Sequence, residues 1–76
     1  MTEARQTAAR FTSYAVDSFA TDQEGRAISF LRDALAVIGE TDDARSPLLA
    51  AVKAFEQGND SRAASFAQSA LERLRA

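Results

Sequence analysis

The chain has neither cysteine nor histidine, and these two absences remove much of the chemistry available to a small protein. Without a thiol there is no disulfide and no thiolate metal site. Without an imidazole the commonest transition-metal ligand is also missing. A chain of 76 residues buries only about 60% of the surface that its unfolded form exposes. Denied those staples, it must rely on helix packing or association. A basic excess is lacking too: nine lysines and arginines face eleven acids, for a net charge of −2. Nucleic-acid binders normally carry a basic stripe, so nucleic acid is not the expected partner. No run approaches the roughly 20 apolar residues of a membrane span. Met1 to Arg5 mixes acid and base with no apolar stretch behind it, so no signal peptide is expected. The chain reads as cytoplasmic, with no membrane partner.

Catalytic patterns are missing as well. There is no glycine-rich phosphate loop, no Asp-x-Asp-Gly calcium spacing and no Glu-x-x-His pair for a di-metal bundle. The serines have no histidine or suitably placed lysine to activate them. Glu40, Asp42 and Asp43 cluster, but in a polar stretch where nothing is expected to desolvate them. They read as a solvated loop in which Asp42 or Asp43 can cap the helix that follows. The inventory therefore predicts no enzyme and no catalytic, cofactor-binding or metal-binding residue.

What the chain does have is an internal repeat. Residues 11–40 lie over 47–76 without a gap, and 9 of the 30 pairs are identical. They are Ala15/Ala51, Val16/Val52, Phe19/Phe55, Arg26/Arg62, Ala27/Ala63, Ser29/Ser65, Phe30/Phe66, Ala34/Ala70 and Leu35/Leu71. The repeated Val-x-x-Phe and Arg-Ala-x-Ser-Phe-x-x-x-Ala-Leu patterns exceed what alanine richness alone would produce, and they indicate duplication.

Each copy reads as two helices. In the first, Ala4, Ala8, Phe11, Ala15 and Phe19 recur at spacings of three and four from Thr2 or Glu3 to Ala20. Thr21 and Glu24 match a capping box for a second helix, which ends at Gly39 in a left-handed cap. Residues 40–45 form a connector. Ser46-Pro47 is a start signal for the third helix, Gly58 ends it, and Asn59 or Asp60 caps the fourth. No stretch alternates with period two, so no strand is expected. The second helix is apolar around most of its circumference and should be buried on more than one side, against the first, third and fourth. The expected fold is one all-α domain over residues 1–76. Its four helices form two tandem antiparallel hairpins, about 3–39 and 46–76.

The hairpin resembles the tetratricopeptide repeat through Phe11, Tyr14, Ala15, Phe19, Ala27, Ile28, Leu31, Ala34 and Leu35 in the first copy. In the second, the likeness rests on Ala51, Phe55, Gly58, Ala63, Ala67, Ala70 and Leu71. An independent duplication, closed into a compact four-helix bundle, is the alternative. The resemblance implies a concave groove lined by the first helix of each hairpin. Val16, Phe19, Val52 and Phe55 would then form an apolar strip for a partner segment, unless they are ordinary core residues. Arg26 and Arg62, repeated near helix starts where a positive charge is unfavourable, are candidates to meet a partner's carboxylate or phosphate; the alternative is plain solvation.

The two copies are unequal. Tyr14, Ile28 and Leu31 become Ala50, Ala64 and Ala67, which removes about 1.5–3 kcal/mol of burial apiece. The thin copy needs cover, either from the first hairpin or from a second subunit or partner. The expected function is a non-catalytic protein–protein interaction module, a small adaptor, regulator or inhibitor acting through an apolar helical surface, with another protein or peptide, or a second copy of this chain, as its partner. A small DNA-associated component using Arg62, Arg73 and Arg75 is the alternative.

Overall fold

The computed structural model describes residues 3–76, so a helix start at Thr2 lies outside the described residues. Four helices follow one another: α1 (Glu3–Ala20), α2 (Glu24–Val37), α3 (Arg45–Glu56) and α4 (Asp60–Arg75). Among the described residues there is no strand, and no helix is long and apolar enough to cross a membrane.

The two hairpin turns are built alike. At the end of α1, the Gln23 amide donates to the Ser18 carbonyl and the Asp22 amide to Phe19. At the end of α3, the Asn59 amide donates to Ala54 and the Gly58 amide to Phe55. Both pairs are the six-to-one and five-to-two bonds of a Schellman ending. Their pivots, Asp22 at φ 59° and Gly58 at φ 77°, are the only positive-φ residues among those described. They stand 36 positions apart, so the backbone repeats where the side chains do not.

Three local expectations need correction. Thr21 does not cap α2; its hydroxyl turns back to the carbonyls of Asp17 and Ser18, and Gln23 stands at the start of α2 without a side-chain cap. The cause is the left-handed Asp22, which commits Thr21 to the ending of α1. Gly39 is not a left-handed cap either, because α2 ends one residue earlier through Ile38 in extended conformation. Helix α3 begins at Arg45, before Ser46, and Asp42 accepts the Ala44 amide at 2.9 Å. Asn59 does cap α4, accepting the Arg62 amide at 3.1 Å.

In cross-section the helices form a ring. Helix α1 packs on α2 and on α4, and α3 packs on α4 and more lightly on α2. The molecule measures 32 × 19 × 19 Å; at about 10 Å per helix, that width is two helices by two. Closure of α4 onto α1 makes this a compact bundle. Helix α2 is buried on two sides, against α1 and α3, as its apolar circumference leads one to expect, but without the expected packing on α4; Ile28, Leu35 and Val37 lie partly buried against the core.

Counting outward from the two tight turns places the buried residues in layers. Ala15, Ala27, Ala51 and Ala63 share one level; Thr12, Leu31, Leu48 and Ala67 the next; Ala8, Ala34, Ala44 and Ala70 the third. All twelve are 0% exposed. Ile38 and Leu74 close the far end. Two all-alanine layers allow close backbone approach, and the leucines between them fill the middle. Each layer consists of residues paired across the 36-residue offset, so the duplication acts as an approximate two-fold axis along the bundle. Thr12 is tolerated in this core because its hydroxyl donates to the Ala8 carbonyl at 2.7 Å. Of the three thinned positions in the second copy, Ala67 is fully buried within the ring, while Ala50 and Ala64 are only partly buried.

Candidate functional site

A core layered with alanine has no room for rings. All six aromatics, Phe11, Tyr14, Phe19, Phe30, Phe55 and Phe66, fall outside the buried set. They sit along the outer seams, partly exposed. Tyr14 is the most open, at 46% exposure.

The densest aromatic group is on the α1/α2 seam. Phe30 of α2 lies between two rings of α1, with centroids 6.4 Å from Phe11 and 5.3 Å from Tyr14. Phe11 and Tyr14 are three residues apart, which puts them on one helix face. Beside them a groove of about 330 Å³ is lined by Tyr14, Asp17, Ser18, Thr21, Gln23, Arg26 and Phe30. Its floor is mainly ring carbon, and Asp17 and Arg26 supply opposite charges at the edge. A second groove, of about 200 Å³, lies on the α3/α4 seam between Ala50, Lys53, Ala54, Gln57, Arg62 and Phe66. There the Arg62 guanidinium lies 5.9 Å from the Phe66 ring centre, within the range of a cation–π contact.

The six residues singled out from the sequence are distributed as follows. Val16 and Phe19 are on α1 and Val52 and Phe55 on α3, helices that face each other diagonally across the ring rather than packing side by side. Val16, Phe19 and Val52 pack partly against the core, and Phe55 is partly buried. The ring separates the two pairs. Phe19 borders a recess of about 270 Å³ with Asp22, Glu24, Asp60, Ser61 and Ala64, between the two turn tips. Arg26 and Arg62 are exposed, and each lines one of the two grooves. The sequence reading missed Tyr14, Phe30 and Phe66 as groove residues. The Phe30/Phe66 identity was the available signal, in the same repeated segment as the arginines.

At the opposite end of the bundle, the connector acids are not all solvated as expected. Arg5 donates to Asp42 at 2.6 Å, to Asp43 at 3.4 Å and to the Arg73 carbonyl at 2.7 Å. One guanidinium thus joins the start of α1, the connector and the end of α4. Only 9% of the Asp42 side chain is exposed. The Ala44 amide, and then Arg5, hold its carboxyl below the ordinary carboxylate range against an opposing effect of burial. Arg5 is correspondingly raised, chiefly by its hydrogen bond to Asp42. Among the described residues, no three acids gather as metal ligands do. The arginines of α4 do not form one patch, because Arg62 is on the groove near one end while Arg73 donates to the Asp43 carbonyl near the other. Compared with protein families, curated proteins and solved structures, the chain finds no match.

Proposed function

We propose that this protein is a non-catalytic protein–protein interaction module and that a segment of its partner docks on the α1/α2 groove. The observation that carries this is the placement of its apolar groups: alanine and leucine fill the core while all six aromatics are left on its outer side, each partly exposed. Rigid, half-exposed aromatics beside an arginine are the groups that anchor protein interfaces. The rings of Phe11, Phe30 and Tyr14 are already ordered against one another, so little side-chain entropy is lost when a partner covers them. We read the hairpins as an independent duplication closed into a ring, since an open tetratricopeptide solenoid would not bring α4 back onto α1. A nucleic-acid role draws little support from α4, where Arg73 is turned onto the connector.

The test uses the whole chain as bait in the native cell, followed by binding measurements with the purified captured protein. Tyr14→Ala is expected to keep the helical circular-dichroism signal and to weaken that binding roughly 30-fold, as a central aromatic anchor does. Unchanged affinity in a folded Tyr14→Ala variant would remove the α1/α2 groove from the interaction. Light scattering separates a hetero-complex from a second copy of this chain as the occupant.

A further inference from the structure

All six residues lining the α3/α4 groove stand 36 positions after residues lining the α1/α2 groove. The pairs are Tyr14/Ala50, Asp17/Lys53, Ser18/Ala54, Thr21/Gln57, Arg26/Arg62 and Phe30/Phe66. One groove has been built twice, on opposite sides of the ring. Its arginine and its phenylalanine are kept, while the residue across from them changes sign.

We infer that the α3/α4 groove is a second docking site, for a partner-protein segment that carries carboxylates beside an apolar side chain. This goes beyond the α1/α2 reading and rests on a separate observation, the charge of the second lining. In the first groove Asp17 and Arg26 bring opposite charges to the lining. In the second, Lys53 and Arg62 are both positive and no acid lines the groove. Neither forms an ion pair among the described residues. The nearest acid on α3 is turned away, with Glu56 3.8 Å from Arg32 on α2. The contact with Phe66, 5.9 Å from guanidinium carbon to ring centre, uses none of the Arg62 N–H donors, leaving them for a carboxylate. Ala50, Ala54 and Phe66 supply an apolar floor.

The volume, about 200 Å³, falls below the roughly 300–1,000 Å³ of small-molecule sites, so it suits a side chain better than a cofactor. A polyanion is disfavoured because Asp22, Glu24 and Asp60 crowd the adjoining turn tips and would repel a continuous phosphate backbone. A short acidic segment meets the two cations and stays clear of those acids.

The probe is the acetylated, amidated peptide Glu-Leu-Glu-Phe-Glu, titrated into the isotope-labelled whole chain by NMR. Its counterpart with lysine at every glutamate and a short oligothymidylate serve as comparisons. The expected result is saturable shifts centred on Lys53, Gln57, Arg62 and Phe66. Arg62→Gln or Lys53→Gln should weaken binding roughly tenfold, the size of one charge-assisted contact, while Tyr14→Ala leaves it unchanged. Lack of saturation, equal binding of the lysine peptide, or tighter binding of the oligothymidylate at the same residues would overturn the inference. Because Tyr14 lies only in the first groove, failure here is distinguishable from failure of the α1/α2 reading.

Discussion

Asp22 occupies a backbone position that its counterpart in the second copy gives to glycine. A left-handed conformation strains an L-residue by about 1–2 kcal/mol, somewhat less for aspartate, while glycine adds entropy to the unfolded chain. Asp22→Gly should therefore raise stability by about 0.5 kcal/mol in urea denaturation, and Gly58→Ala should lower it by about 1 kcal/mol. Reversed signs would mean the two turns are not equivalent. Asp42 gives a prediction in pH. Its carboxyl titrates below its ordinary 3.8 in the folded chain, so the unfolded state binds the proton first as pH falls. Its stabilisation is complete above the ordinary value and disappears as pH drops through the lower, folded value. Asp42→Asn keeps an acceptor for the Ala44 amide but does not titrate, and should flatten the acid limb of a stability–pH curve. Asp42 as an amide acceptor ahead of the third helix was legible in the sequence, but its ion pair with Arg5 and the left-handed turn at Asp22 were not. Asp22 resembles any turn aspartate, and Arg5 is 37 positions from Asp42, joined to it only by the closure of the ring.

At the scale of the helix, spacing carried most of the information. Apolar residues located the first two helices, the 36-residue repeat extended them to the third and fourth, and Gly58 and Asn59 marked the third ending and fourth start because each acts through its own neighbours. Neighbour order in the ring was not legible, because contact between the first and last helices depends on which face each presents after folding. Helix α4 shows the consequence: it buries Ala63, Ala67, Ala70, Leu71 and Leu74, so a sparse apolar face is a close-packed one. Ala67→Leu copies the Leu31 of the first copy, yet should destabilise by about 1–3 kcal/mol through overpacking. Leu48→Ala, in the same layer, should lose about 2–5 kcal/mol by opening a cavity. Thermal denaturation of both variants tests the layer. If Ala67→Leu were stabilising, the second hairpin would hold unfilled space and the case for a complete core would fail.

At the scale of the molecule, the approximate two-fold axis sets two differently charged grooves back to back. The repeat was readable as a duplication, and Arg26 and Arg62 were marked by it; that they would face opposite sides follows only from the closed ring. Arg5 and Arg73, joined through a 2.7 Å bond, bring the outer ends of α1 and α4 together. The order in which the two hairpins are written along the chain is then incidental to the ring they form. A circular permutant opened between Glu40 and Thr41, with Ala76 joined to Glu3 by a short Gly/Ser linker, should fold to the same helicity with a cooperative melt. A molten product would show that the native connector is required. If the permutant folds, new ends emerge at the exposed connector, and the bundle becomes a scaffold into which another domain can be inserted without disturbing either groove.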